Sequence, residues 1–129
     1  MWLKLGISKP KALGNKLRKM SKVKQAEKLK KEKARIEKEE AKKRELAKSE
    51  VKIMFDCLKQ DFIISAKNGS DSWFCNFDYF TEIMKENNLH SDEYYLYEEL
   101  KKICERNKIR TSVLADKDNK PVFYDFYWD

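Results

Sequence analysis

The amino-acid sequence predicts an α+β protein in which a long charged helix leads into a small C-terminal domain. Charge divides the chain: residues 1–50 contain 18 Lys/Arg and 7 Glu, a net charge of +11, whereas residues 51–129 contain 11 Lys/Arg and 15 Asp/Glu, a net charge of −4. Aromatic residues divide it the other way, because all of them except Trp2 follow Val51. Since a core requires apolar bulk, we predict one compact domain over residues 51–129.

The first half of the chain has the composition of an exposed helix. No Gly or Pro occurs from Asn15 to Asn68, and good helix formers dominate the first two thirds of that stretch. We predict a helix over 21–64, whereas Pro10 and Gly14 predict a short or broken helix over 8–17. Within the exposed part, we predict a basic arm (residues 1–30) and a charged helical spacer (residues 31–50), about 30 Å long.

Apolar spacing changes within this predicted helix. Before Val51 no heptad pattern is sustained, which argues against a long coiled coil. From Val51 the apolar residues follow a helical period and predict a face that packs on a core. This face contains Val51, Met54, Phe55, Leu58 and Phe62, widened by Ile53, Cys57 and Ile64.

Two further helices and three strands are predicted in the rest of the chain. The turn signal Asn68-Gly69 precedes an aromatic strand over 72–78. Asp78 and Ser91 are the predicted N-caps of the two helices, and Asn107 is the predicted end of the second. The apolar residues of these helices are Phe80, Ile83 and Met84, then Leu96, Tyr97, Leu100, Ile103 and Cys104. Strands over 109–115 and 122–129, joined by a polar turn, form a predicted C-terminal β-hairpin.

The order helix-strand-helix-helix-strand-strand resembles a winged helix-turn-helix. The resemblance covers about 80 residues and implies that the helix over 91–107 takes the recognition position, with the wing at 116–121. In DNA-binding proteins of this type the N-terminal end of that helix enters the major groove. Here that end carries Asp92 and Glu93, which phosphate groups would repel. We therefore expect a winged-helix-like domain that does not read DNA sequence in the usual way.

Lysine density predicts contact with nucleic acid. Residues 1–30 contain ten Lys/Arg and one Glu, and such a concentration of positive charge favours phosphate without reading bases. The alternative for such a segment is a solvated basic tail. The sequence does not distinguish DNA from RNA. The predicted contacts are Lys9, Lys11, Lys16, Arg18, Lys19, Lys22, Lys24, Lys28, Lys30 and Lys31, with Lys101, Lys102, Arg106, Lys108 and Arg110 in the domain.

Aromatic richness predicts a protein partner. Most aromatic side chains of a small domain are needed for its core, but the remainder favour a docking surface. The predicted partner-binding residues are Trp73, Tyr94, Tyr95, Tyr127 and Trp128. We therefore expect a non-catalytic, nucleic-acid-associated accessory or regulatory protein whose domain docks a partner. The alternative is a protein-interaction, inhibitor or structural component in which the charged helix is only a spacer.

Other functions find little support in the sequence. His90 is the single histidine, no CxxC pair exists, and none of the three glycines lies in a phosphate-binding loop. We therefore predict no enzyme activity, no cofactor, no metal and no small-molecule substrate. An interfacial membrane anchor at Trp2, Leu3, Leu5 and Ile7 is disfavoured, because the apolar stretch is short and interrupted. The three scattered cysteines predict a reducing, cytoplasmic location. The Lys, Asn and Ile richness is compatible with a phage or mobile element.

Overall fold

The computed structural model describes the backbone of residues 2–129 and the side chains of residues 12–129. It confirms the α+β class and the predicted order of elements: three helices and one small antiparallel sheet. The elements are α1 (Trp2–Lys67), β1 (Ser72–Asn76), α2 (Phe77–Glu86), α3 (Glu93–Arg106), β2 (Arg110–Ala115) and β3 (Pro121–Tyr127).

Helix α1 is longer than the sequence predicts. It runs through residues 8–17 without a break, although this stretch contains Pro10 and Gly14. The expectation of a short or broken helix there was wrong, because the surrounding residues are mostly Lys, Leu and Ala, which favour the helix on both sides. The chain divides into two units, Met1–Glu40 and Ala41–Asp129.

The sheet has the strand order β1-β3-β2, so that β3 lies in the centre. Both pairings are antiparallel: Trp73 lies opposite Phe126, and Thr111 lies opposite Phe126 from the other side. Along β3, Tyr124 and Phe126 are buried, whereas Asp125 between them and Tyr127 after them are half-buried. The sheet therefore has a core face and an outer face.

The second unit encloses one hydrophobic core between α1, α2, α3 and the inner face of the sheet. Val51, Met54, Leu58 and Phe62 provide the contribution of α1, as their spacing predicts. The predicted widening of this face was wrong for Ile53 and Ile64, which are 45% and 59% exposed, because the core covers only a narrow stripe of the helix. The remaining buried members are Cys75, Phe80, Ile83, Met84, Leu89, Leu96, Tyr97, Leu100, Cys104, Tyr124 and Phe126.

Helices α2 and α3 begin at other caps than those predicted. The side chain of Asn76 accepts a hydrogen bond from the Tyr79 amide at 2.8 Å, so Asn76 is the N-cap of α2 and Asp78 lies in its first turn. Asp92 caps α3 by accepting from the Tyr94 amide at 2.9 Å. Both shifts arise because a closer side chain reaches the free amides first. The predicted end of α3 at Asn107 is confirmed.

Ser91, the cap predicted for α3, has another role. Its amide and hydroxyl both donate to Glu50 Oε1 of α1, and the His90 amide donates to the same carboxylate. Partial burial alone would raise the pKa of Glu50, but these hydrogen bonds outweigh it and hold the pKa below its ordinary value. Glu50 thereby joins α1 to the start of α3, across 40 residues of sequence.

Candidate nucleic-acid and partner-binding sites

The basic segment of α1 presents its charge on all sides. Residues 16–31 include eight predicted phosphate contacts, and all eight are exposed. Because successive helical residues are about 100° apart, these positions surround the helix instead of sharing one face. They are Lys16, Arg18, Lys19, Lys22, Lys24, Lys28, Lys30 and Lys31. The side chains of Lys9 and Lys11 lie outside the described residues, as do those of the disfavoured anchor near the N-terminus.

Most of these lysines have no carboxylate nearby. Among the eight, only Lys24 lies within 4.0 Å of a carboxylate, at 3.8 Å from Glu27, as far as the described side chains extend. Arg18 donates to the side-chain oxygen of Asn15 at 3.0 Å. Ion pairs become denser further along, where Arg35 contacts both Glu32 and Glu39. Residues 16–31 contain eight Lys/Arg and a single Glu, so net positive charge is concentrated before Glu32.

Four of the five basic residues predicted in the domain have local partners. Lys102 pairs with Glu99 at 3.1 Å, and Lys101 lies 3.9 Å from Glu98. The Arg106 guanidinium donates to a backbone carbonyl of its own helix, and Arg110 pairs with Asp129 and lies over the Tyr127 ring. Lys108 is exposed in the turn after α3. The structure thus places these residues along α3 and the start of β2, four of them with local partners.

The five aromatic residues predicted to bind a partner do not form one patch. Tyr94 and Tyr95 lie at the start of α3, and Tyr127 lies on the outer face of the sheet. Trp73 and Trp128 are half-buried and both pack against Phe62; their ring centroids lie 5.6 and 5.7 Å, respectively, from that of Phe62. Trp128 also donates its indole N–H to the Ser70 carbonyl at 3.2 Å, so much of its role is structural.

The first aromatic site, which we call the β1 pocket, has a volume of about 410 Å³. Four rings and one carboxylate line it, together with Cys75 and Asn76. The rings belong to Trp73, Phe74, Tyr79 and Phe123, and the carboxylate belongs to Asp61. Phe74 and Tyr79 are 64% and 42% exposed, so these rings present much of their surface to solvent.

Two ring pairs form the walls of the β1 pocket. Trp73 and Tyr79 meet edge to face at 5.8 Å, and Phe74 and Phe123 do so at 6.0 Å. The Tyr79 hydroxyl donates to Asp61 Oδ2 at 2.9 Å. Burial, and then the bond to Asp61, raise the pKa of Tyr79 to about 12, so this hydroxyl stays protonated at neutral pH. Asp61 Oδ1 accepts no hydrogen bond from the described residues.

The β1 pocket surrounds a free edge of the sheet. The Trp128 amide donates to the Asp71 carbonyl at 2.9 Å, which makes this pair a hydrogen-bonded one. In an antiparallel ladder such pairs alternate with pairs whose backbone groups point outward. The amide and carbonyl of Phe74 therefore point away from β3. In agreement, the Ser72 carbonyl, two residues before, accepts the hydroxyl of Ser65 at 2.8 Å.

A second cleft, of about 310 Å³, separates α1 from the first turns of α3. Tyr94 is 65% exposed and meets Tyr95 edge to face at 5.3 Å, and the Arg44 guanidinium lies 5.7 Å from the centre of the Tyr95 ring. Glu98 and Glu99 also line the cleft. Acidic and basic groups are thus mixed here, and no single charge dominates.

A third site is an apolar groove of about 340 Å³ beside Trp128. Phe55, Phe62, Ile63 and Ile109 line it with Trp128, and Lys59 is the charged residue of its lining. Phe62 also belongs to the core, so the groove adjoins the core.

The cysteines do not form a reactive site. Burial raises the pKa of Cys75 and of Cys104 to about 12, and it also raises the pKa of the half-buried Cys57. All three are free thiols. Among the described residues, no three His, Cys, Asp or Glu side chains are close enough to hold a metal ion.

None of the helices, over the residues described, combines the length and apolar character needed to cross a membrane.

Comparison with known proteins found no match to a protein-family model, a curated protein or a solved structure. Asp61, Phe74, Tyr79 and Phe123 were not predicted from the sequence as members of a site. Alternation in "SWFCN" is a usable signal for Phe74, because it places this ring on the opposite face from Trp73 and Cys75. No local pattern indicates that Asp61 lies beside that strand.

Proposed function

We propose that this protein is a non-catalytic, nucleic-acid-associated accessory factor. Its basic segment binds the phosphate backbone without reading sequence, and its domain docks a protein partner. The observation that carries the first part is the set of exposed lysines before Glu32, most of which have no carboxylate within 4.0 Å. Such groups form contacts with phosphate without first breaking an ion pair.

The arrangement of the lysines supports binding that is independent of sequence. Because the charges surround the helix, no single face is directed at one groove. Lysine also lacks the planar fork with which arginine reads guanine. The expected signature is therefore a strong dependence on salt concentration, on both duplex and single-stranded probes.

The same proposal includes a winged-helix-like fold for the domain and a cytoplasmic location for the protein. The order of elements, and the pairing of β1 with the C-terminal hairpin, support a winged-helix-like domain. Engagement of Lys101, Lys102, Arg106 and Arg110 with local partners supports a domain that contributes little to groove reading. Three free thiols support a reducing, cytoplasmic compartment.

A pair of matched triple variants tests the role of the basic segment. K16A/K19A/K22A and K101A/K102A/R106A remove the same charge from the segment and from the domain. Binding is measured by electrophoretic shift on a 20-base-pair duplex and a 20-nucleotide RNA at several salt concentrations. Each lost phosphate contact weakens binding by up to about tenfold near 0.1 M salt and lowers the salt slope by about 0.9 on duplex.

We expect the segment variant to lose up to several hundredfold in affinity and the domain variant to lose only a few-fold. Equal loss in the two variants would assign phosphate binding to the whole surface and not to the segment. Unchanged binding in the segment variant contradicts the proposal. If the unsubstituted protein binds neither probe, the alternative of a protein-interaction component with a charged spacer gains support.

A further inference from the structure

The β1 pocket combines three features that the other aromatic sites of the domain lack together: several ring surfaces, a carboxylate with a free oxygen, and the unpaired backbone amide and carbonyl of Phe74. Aromatic rings beside a carboxylate attract a cation, because the ring face is electron-rich and the carboxylate supplies full charge. An unpaired strand edge attracts an extended chain, because its amide and carbonyl seek partners.

Acidic residues around the pocket favour a basic occupant. Asp61 lines the pocket, and Glu86 is close enough to contribute to the raised pKa of Tyr79. A positively charged side chain approaching β1 beside Tyr79 thus meets complementary charge from these two carboxylates.

The two ring pairs stand on opposite faces of β1. Trp73, with Tyr79 and Asp61, lies on the core side of the strand, whereas Phe74 and Phe123 lie on the outer side. Side chains of an added strand alternate between the same two faces. One residue of such a strand therefore meets Asp61 and its rings, and the next meets the two phenylalanines.

We propose that the β1 pocket docks an extended segment of a partner protein in which a lysine or arginine alternates with an apolar residue. The segment pairs with the free amide and carbonyl of Phe74. Its cation lies beside Asp61, Trp73 and Tyr79, and its apolar side chain packs on Phe74 and Phe123. This inference rests on the docking part of the proposed function and is independent of nucleic-acid binding by the basic segment.

Peptide titration of the ¹⁵N-labelled full chain, followed by NMR, tests the inference. The probe is an acetylated and amidated octapeptide that alternates Lys and Val. A Glu-Val octapeptide is its charge-reversed counterpart. We expect the Lys-Val peptide to shift the amide signals of Phe74 and Asn76 and to saturate. The Glu-Val peptide can contact the exposed lysines of α1, but it should leave these two signals unmoved.

Three variants test whether the peptide binds at the β1 pocket. D61N removes the carboxylate charge from the pocket, and F74S removes a ring that is largely exposed and so contributes little to folding. D56N removes an equal charge from an exposed position of α1 outside the pocket. We expect the dissociation constant to rise at least fivefold in D61N and F74S and to stay within twofold in D56N. Amide spectra of the free variants verify that each remains folded.

Several results would overturn the inference. These are no saturable shift at millimolar peptide, equal effects of the two peptides at Phe74, or equal weakening by D56N and D61N. Concentration-dependent shifts at Phe74 without peptide would instead assign the edge to a second copy of this chain. Electrophoretic shift of the D61N protein on the duplex probe separates the two proposals, because nucleic-acid binding should be unchanged when peptide binding is lost.

Discussion

The two units of this chain differ in the burial of their side chains and in their net charge. No described residue of the first unit is buried, and its sequence contains 14 Lys/Arg and 5 Glu, a net charge of +9. The second unit contains a contiguous core and 15 Lys/Arg against 17 Asp/Glu, a net charge of −2. Helix α1 contributes to both units. Both stretches of α1 are helical, so helix formation does not explain the difference between them. A stretch of α1 contributes to the core only where other elements cover one of its faces.

Basic side chains of the two units differ in their surroundings. In both units most of them lie beyond 4.0 Å from any described carboxylate, and in the second unit the only exceptions are Lys48, Lys101, Lys102 and Arg110. The 17 Asp/Glu of the second unit nevertheless lower the positive potential around its lysines, whereas the first unit contains only five Glu. Equal numbers of lysines in the two units are therefore not equivalent binding surfaces. Matched substitutions, one in each unit, test this difference.

The largest contrast in stability is expected between Phe126→Ala and Leu29→Ala. Phe126 is fully buried, and its ring centre lies 5.0 Å from that of Phe62, whereas Leu29 is 71% exposed. Loss of a buried phenyl ring removes transfer free energy and leaves a cavity, which costs about 3–5 kcal/mol. Loss of the exposed leucine should change the free energy of unfolding by less than about 0.5 kcal/mol.

Urea unfolding monitored by tryptophan fluorescence measures both variants, since Trp73 and Trp128 both pack against the core. A large decrease in the free energy of unfolding of Leu29→Ala would show that the first unit buries this side chain in solution. A small loss in Phe126→Ala would show that the core is less closely packed than the structure indicates.

A smaller contrast is expected between Glu50→Ala and Glu27→Ala. The Glu50 carboxylate accepts hydrogen bonds from the His90 and Ser91 amides at 2.9 and 2.8 Å, whereas Glu27 has one basic neighbour within 4.0 Å among the described side chains, Lys24 at 3.8 Å. Removing Glu50 leaves these donors without their acceptor and costs about 1–3 kcal/mol. Removing Glu27 should leave the free energy of unfolding unchanged within error.

The contribution of Glu50 also has a pH signature. Because the folded protein lowers its pKa below the ordinary value of 4.5, the stabilisation is fully present above that pH and is lost as pH falls through the folded pKa. The difference in unfolding free energy between the unsubstituted protein and Glu50→Ala should therefore shrink below pH 4.5. Urea titrations at pH 7, 5, 4 and 3 test this. A difference that is independent of pH would mean that the carboxylate charge does not contribute.

The smallest contrast is expected between Lys102→Ala and Lys24→Ala. Lys102 lies 3.1 Å from Glu99, whose side chain is only 12% exposed, whereas both partners of the Lys24 pair are more than half exposed. Loss of Lys102 leaves a nearly buried carboxylate without its cation, and we expect a cost of up to about 1 kcal/mol. Lys24→Ala should be neutral in stability.

Repeating the unfolding of these two variants in 1 M salt separates charge from packing. Screening should remove only part of the loss in unfolding free energy caused by Lys102→Ala, because the Lys102–Glu99 pair is partly shielded from solvent. Complete loss of the effect in salt would place Glu99 in a more exposed setting than the structure shows.

Periodicity along the chain was enough to predict the order of elements and most of the core. Met54, Leu58 and Phe62 recur at helical spacing, and Tyr124 and Phe126 alternate with polar or half-buried residues, so their faces could be predicted locally. Caps were less predictable, because Asp78 and Ser91 fit the pattern as well as Asn76 and Asp92. The choice depends on which side chain lies nearest to the free amides once the strand and the turn are in place.

By itself the sequence determined the class of the fold, the separation of basic and core-forming regions, and the positions of the exposed lysines, since these depend on composition and spacing within single elements. Only the tertiary structure decided which charges are free and which aromatic rings share a site. Asp61 and Tyr79 are 18 residues apart, and Glu50 and Ser91 are 41 apart. Such pairs form because the core brings α1 against β1, α2 and α3, and no local pattern records a contact between distant segments.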